Sequence, residues 1–234
     1  MEAAQVVKGR RYVRRPADVV MVVVGAVVLG AGMLAVRDSS VSDVEESVFD
    51  VVNGLPGALY PVLWPFQQLG VLVVGPIAAL VAACFRRFRL ALLLLVATVA
   101  KLVLERAVKA VVSRARPATS IGPDVELRGD VSRFGESFVS GHAVLITAIA
   151  GLITPYLPGR WKVVPWVVVV LVAITRVYVG AHNPLDVICG AGLGLAIGGV
   201  LNLAFGVPAA SRTPTPAEPR TEPTPHPSTS PGTA

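Results

Sequence analysis

Long apolar runs separated by short polar breaks occupy most of this chain, at residues 19–36, 62–85, 90–104 and onward, 143–157, 163–179 and 185–205. A helix needs about 20 predominantly apolar residues to cross a hydrocarbon core ~30 Å thick, and each run approaches that length. The pattern predicts an all-α fold, a polytopic membrane helical bundle with about six transmembrane helices. Between the first two runs, Val41, Val44, Val48, Val51 and Leu55 recur at helical spacing opposite Asp43, Glu45, Glu46 and Asp50, with Ser42 and Glu45 placed as a capping box. A short amphipathic helix lying passively at the membrane surface is expected there. In the last run, Gly190, Gly194 and Gly198 form a small-residue stripe through which a neighbouring helix can approach closely.

The composition agrees. With 53% hydrophobic residues and a mean hydropathy of +0.67, the 234-residue chain is too apolar for an ordinary soluble domain. Its formal net charge of +6 does not imply a nucleic-acid partner, because the arginines cluster beside the apolar runs, where they orient the protein and meet anionic headgroups of membrane lipids. Lys8, Arg10, Arg11, Arg14 and Arg15 precede the first run as in a signal peptide, but that run is too long for an h-region and reads as a retained helix. Arg86, Arg87 and Arg89, and later Arg160 and Lys162, alternate along the chain with the acidic segment 38–50 and the long loop 110–139. The positive-inside rule then places both termini in the cytoplasm and the long loop outside. A multi-pass plasma-membrane protein is expected, with a basic cytoplasmic N-terminus at 1–17 and a membrane domain at 18–207. The segment 208–234, in which eight of 27 residues are proline, reads as a disordered cytoplasmic tail. Cys84 and Cys189 lie in apolar runs without metal-ligand spacing and read as small core residues.

The candidate chemistry lies in three patterns: Lys109-x6-Arg116-Pro117, Ser140-Gly141-His142, and Arg176-x5-His182-x3-Asp186. The chain has three histidines; His226 falls in the proline-rich tail, and the other two each sit in one of these patterns. Arg116 suits bidentate recognition of phosphoryl oxygens, whereas Lys109 acts as a point charge. The two are seven residues apart and share a face if the helix runs that far. Ser140 is placed as an N-cap, and Gly141 lets the backbone approach an anion at the helix N-terminus. Asn183 as N-cap and Pro184 as first helical residue put Asp186 in a first helical turn, four residues beyond His182. A hydrogen bond from the His182 Nδ1 to that carboxylate fixes the tautomer and leaves Nε2 to attack. Lys101 and Glu105, four apart inside the third run, read as an ion pair along one helix face. If the fourth run passes inward and the fifth returns, all three patterns meet at one extracytoplasmic surface.

These patterns resemble the three signature motifs of the type 2 phosphatidic acid phosphatase superfamily, which also includes vanadium haloperoxidases. The similarity extends from about the first span to Phe205. It implies that His182 is a nucleophile forming a phosphohistidine, that Asp186 orients it, and that His142 is the general acid protonating the leaving oxygen. Lys109, Arg116, Ser140, Gly141 and Arg176 are implied as the phosphate-binding set. The family is metal-independent, and no cofactor is expected. Val139 stands where the second motif usually begins with proline, and Thr175 where the third commonly begins with serine.

The expectation is therefore an integral membrane hydrolase of lipid metabolism that cleaves a lipid phosphomonoester or pyrophosphate, of the polyprenyl pyrophosphate, phosphatidate or phosphatidylglycerophosphate type. A phosphate-binding transporter or channel, or a lipid phosphotransferase using the same site, is the alternative.

Overall fold

The computed structural model describes residues 12–209. The expected tail, beyond its first two residues, and most of the basic N-terminus lie outside them. Nine helices order the described chain: α1 Pro16–Ala35, α2 Asp43–Asn53, α3 Tyr60–Gln68, α4 Val74–Cys84, α5 Phe88–Val111, the short α6 Pro117–Ser120, α7 Gly141–Ile153, α8 Val164–Tyr178 and α9 Pro184–Phe205. The membrane helical bundle predicted from the apolar runs is what forms. Three helical stretches, Pro16–Ala35, Gly159–Tyr178 and Pro184–Phe205, are long and apolar enough to cross a membrane, and Val74–Cys84 and Gly141–Tyr156 are shorter apolar helices. The 24-residue α5 carries its charges toward its C-terminal end, at Lys101, Glu105, Arg106 and Lys109.

The second apolar run departs from the expected continuous span. It divides into α3 and α4, joined by a turn at 69–73. Pro61 and Pro65 supply no backbone N–H to helix α3, and Gly70 in the turn lies against the His142 ring, where a Cβ would come within 2.5–2.7 Å of it. The break brings backbone up to a candidate site residue.

Helix α7 is the centre of the bundle, with every residue from Ala143 to Leu152 buried. Helix α9 packs between it and α1. The stripe read from the sequence faces α7: Gly190 meets Ser140 and Ala143, Gly194 meets Val144 and Thr147, and Gly198 meets Ala148. A second set, Gly192 and Gly199, faces Val28 and Val22 of α1. Between lipid-like surfaces no hydrophobic driving force draws helices together, so close backbone approach and van der Waals contact hold the bundle. Asp18 adds a buried polar tie, accepting a hydrogen bond from Asn202 Nδ2 at 3.0 Å, while Asn202 also donates to the Gly151 carbonyl at 3.2 Å. Cys189 is buried in the core as expected, whereas Cys84 is exposed at the end of α4.

The basic loops share one end of the bundle. Strand β1, Tyr12–Val13, pairs antiparallel with β2, Val207–Pro208, so Pro208 is ordered by pairing with Tyr12. Arg89 stacks over Tyr12 at 4.1 Å and Arg87 over Tyr156 at 5.5 Å, measured to the ring centroids. The long loop after α5 folds over the opposite end, fastened by Arg128, whose Nη1 donates to the carbonyls of Asn53 at 2.8 Å and Tyr178 at 2.7 Å.

Helix α2 forms where the amphipathic pattern predicts, with Ser42 Oγ accepting from the Glu45 N–H at 3.3 Å. Its orientation inverts the usual reading. The apolar residues Val44 and Val51 are 75% and 72% exposed, while Glu45 is 5% exposed and buried with Phe49 and Asn53. Asp43 and Asp50 stay exposed beside those valines, so the side of α2 turned to protein is the one that carries Glu45, Phe49 and Asn53.

Because a Cβ at Gly190 would lie 2.7 Å from the Ser140 carbonyl oxygen, Gly190→Leu is expected to wedge α9 off α7 and lower stability by about 1–3 kcal/mol. Gly30→Ala, at a position with open space around it, should be neutral or slightly stabilising. Thermal unfolding in detergent distinguishes the two.

Candidate active site

The site is built around the first turn of α9. Asn183 is the N-cap and Pro184 the first helical residue, which places Asp186 where an ionised carboxylate is favoured. The Asn183 N–H donates to Asp186 Oδ2 at 2.8 Å, and the Ser137 hydroxyl donates to the same oxygen. Asp186 Oδ1 accepts from Arg114 Nη1 at 2.9 Å. The direct His182–Asp186 hydrogen bond expected from the four-residue spacing does not form. His182 Nδ1 is 4.0 Å from the carboxylate and 2.9 Å from the Ser137 carbonyl oxygen. A carbonyl only accepts, so Nδ1 carries the proton and Nε2 the lone pair. Ser137 thus binds both partners, the carboxylate through its hydroxyl and the imidazole through its carbonyl.

The basic residues gather round this imidazole. Burial, then the charges of Arg176 and Arg116, hold the His182 pKa well below its ordinary value of 6.5, with His142 and Lys109 acting in the same direction. Among the described residues, Arg116 and Arg176 have no ion-pair or side-chain hydrogen-bond partner, and the Nε of each is buried. The Ser140 hydroxyl is likewise buried without a partner, although its backbone N–H donates to the Asp186 carbonyl at 2.9 Å. Two desolvated guanidinium groups without counter-ions beside a neutral imidazole form a receptor for an anion.

Other sequence readings need correction. Helix α5 ends at Val111, so Lys109 and Arg116 do not share a helix face; the chain leaves the helix and pairs Ala115 with Glu136 instead. Ser140 occupies the N-cap position of α7 without a side-chain capping bond. The space left by Gly141 is used by Glu105, whose carboxylate atoms would lie 2.5–2.8 Å from a Cβ there. Glu105 is held by Lys101 at 2.6 Å, the pair the spacing predicts, and also by Lys109 at 2.8 Å. Glu45 is no passive surface residue: its carboxylate pairs with Arg114. Ser137, Gly70 and Arg114 stand outside the three sequence patterns. For Arg114 a signal existed, two residues before Arg116 in a loop whose basic charge ran against the orientation rule. Ser137 and Gly70 belong to no spacing pattern. Among the described residues no group of three or more His, Cys, Asp or Glu is gathered to hold a metal ion.

The low His182 pKa has a testable consequence. The unfolded chain takes up this proton as the pH falls through about 6.5, and the folded chain only well below it, so stability is full above pH ~6.5 and declines as the pH drops beneath it. Imidazole ¹⁵N spectra should show a neutral, Nδ1-protonated His182 across pH ~6–8; an Nε2-protonated ring or a midpoint near 6.5 would contradict the geometry.

Comparison with known proteins follows the same lines. Over 117 residues, 49% of this chain, the sequence is 33% identical to an undecaprenyl-diphosphatase of Sulfolobus acidocaldarius, and the match spans 55% of that relative's length. The fold resembles the crystal structure of Aquifex aeolicus LpxE with a TM-score of 0.58 and 25% identity, over 71% of this chain and 99% of that one. It also resembles a transmembrane PAP2-type phosphatidylglycerolphosphate phosphatase of Bacillus subtilis with a TM-score of 0.57 and 22% identity, over 79% and 94% of the two chains. Residues 90–207, which hold all three motifs, match the model of the PAP2 superfamily, and the chain belongs to that superfamily.

Proposed function

We propose that this protein is a membrane phosphatase that hydrolyses a lipid phosphomonoester or diphosphate through a phosphohistidine intermediate. The observation that carries this reading is a buried, neutral His182 whose Nδ1–H donates to the Ser137 carbonyl, set beside Arg116 and Arg176, which among the described residues lack counter-ions. Nε2 attacks phosphorus, the bond to the leaving oxygen breaks, and His142 gives that oxygen its proton. Water, deprotonated by His142, then displaces the phosphoryl group and regenerates His182 with release of inorganic phosphate. Lys109, Arg116 and Arg176, with Ser140 and the Gly141 amide, neutralise the phosphoryl oxygens, a role that makes a divalent ion unnecessary. The 33% identity to an undecaprenyl-diphosphatase makes a polyprenyl diphosphate the first substrate to test.

The site faces the outside of the plasma membrane in this reading. Its support is that Arg87, Arg89, Tyr12 and Pro208 gather at the end away from the site, as the positive-inside rule requires of a cytoplasmic face. Single cysteines introduced at exposed positions in 118–136 should react with an impermeant thiol reagent in intact cells; labelling only after lysis would reverse the orientation.

Purified protein should release inorganic phosphate from a lipid diphosphate and should do so equally in EDTA, whereas a phosphate-binding carrier leaves the ester intact and a phosphotransferase moves the group to a second acceptor. His182→Ala should abolish both turnover and acid-quenched ³²P labelling. His142→Ala should slow turnover by roughly 10²- to 10⁴-fold and recover part of that loss in phosphoenzyme formation from an aryl phosphate, whose leaving group needs little protonation. Label retained in His182→Ala, or mapped to the peptide containing His142, would refute the assignment.

A further inference from the structure

Among the described residues, Arg114 is the largest side chain to be fully buried, and all the hydrogen-bonding capacity of its two terminal nitrogens is spent. Nη1 donates to Glu45 Oε1 at 3.0 Å and Asp186 Oδ1 at 2.9 Å, and Nη2 donates to Glu45 Oε2 at 2.5 Å and the Ser40 carbonyl at 2.9 Å. It therefore differs from Arg116 and Arg176, which lie nearby and, among the described residues, have no carboxylate partner. A guanidinium whose fork already holds two carboxylates has no pair of donors left for a phosphoryl group.

What this fork holds is the orienting apparatus of His182. Its second carboxylate is Asp186. Its backbone carbonyl accepts the Ser137 N–H at 2.7 Å, and Ser137 in turn contacts both Asp186 and His182. Glu45 has a further contact: Oε1 accepts the Leu185 N–H at 2.9 Å, one of the unpaired donors in the first turn of α9. Glu45 so reaches Asp186 twice, through Arg114 and through the helix on which Asp186 stands. This explains why Glu45, unlike Asp43 and Asp50 of the same helix, is buried.

We propose, on the basis of the phosphatase reading, that Glu45 and Arg114 are positioning residues: the surface helix α2 sets the orientation of Asp186 and Ser137, and through them of the attacking His182, without touching the phosphate. Removal of either residue should slow the chemical step and leave phosphate binding intact.

The test measures phosphate release from a polyprenyl diphosphate and inhibition by orthovanadate, which occupies the phosphoryl site, for the wild type, Glu45→Gln, Arg114→Lys, Arg114→Gln and the Glu45→Gln/Arg114→Gln pair. A displacement of reacting groups by about 1 Å costs on the order of 10²-fold in rate, so Arg114→Gln should lose that much in kcat, and Glu45→Gln about tenfold. KM and the vanadate inhibition constant should stay within about threefold of wild type, since the cations that bind phosphate are untouched. Arg114→Lys should recover part of the loss, and the double variant should be no slower than Arg114→Gln alone, because both act through one chain of contacts. Weakened vanadate inhibition or a raised KM with unchanged kcat would make Arg114 a phosphate ligand and overturn the proposal. If Arg114→Gln fails to fold, unchanged kcat in both Glu45→Gln and Arg114→Lys overturns it equally. An inactive wild type would remove the phosphatase reading and this inference together; an active wild type with unaffected variants removes the inference alone.

Discussion

A fully buried guanidinium cannot be left without its carboxylates. Removing one partner from such a pair leaves an uncompensated charge in a low-dielectric interior, at a cost of about 3–5 kcal/mol. Arg114 therefore requires that Glu45 of α2, Asp186 of α9 and its own loop come to one point. Each of those segments carries something the site uses. The loop brings Ser137 and Arg116, the start of α9 brings Asp186 beside His182, and α2 brings Glu45. Burial works against the charge on Arg114, yet hydrogen bonds to Glu45 and the field of Asp186 outweigh it and raise its pKa above the ordinary guanidinium value.

The bundle supplies the rigid base for this cluster by different means. Helix α9 is glycine-rich on two faces, and its backbone approaches α7 and α1 closely at Gly190, Gly194 and Gly192. Contact of this kind is short-ranged and tolerates little displacement, so the first turns of α7 and α9, which carry His142 and Asp186, are held in fixed relation. The Ser140 N–H bonded to the Asp186 carbonyl marks where the two helices meet. Much of the remaining apolar surface, such as Val27, Leu34, Leu80 and Val103, faces outward, as lipid contact requires.

Charge is divided between two compartments of the site. Arg114 is paired with two carboxylates, while Arg116 and Arg176 are unpaired among the described residues. In the proposed reading the first arrangement organises and the second attracts an anion. Lys109 stands between them, near enough to act on His182 yet bound to Glu105, which also holds Lys101. Placing cations beside an imidazole while keeping the carboxylate one residue removed, behind Ser137, favours a neutral ring with a fixed tautomer. That is the state a nitrogen nucleophile needs.

What depended on neighbours along the chain was legible in the sequence. The apolar runs predicted the helices, the Asn183-Pro184 start located the first turn of α9, the glycine stripe predicted close approach of a neighbouring helix, and Lys101 and Glu105 paired as their spacing required. These features follow from rise per residue, capping and side-chain size, all local quantities. The three patterns also singled out residues whose charges do act on one another, because their spacing resembles that of a known family. The tertiary structure alone decided which partners the buried charges took. Spacing pointed His182 at Asp186, but Ser137, 45 residues away, intervenes. Periodicity read α2 as a passive surface helix, but Arg114 draws its Glu45 into the interior. A continuous second span was read across Gly70, where the chain bends against His142. Each of these outcomes is set by non-local contact: a buried charge or an unsatisfied donor takes the group that the whole fold brings within hydrogen-bonding distance, and sequence spacing carries no record of that distance.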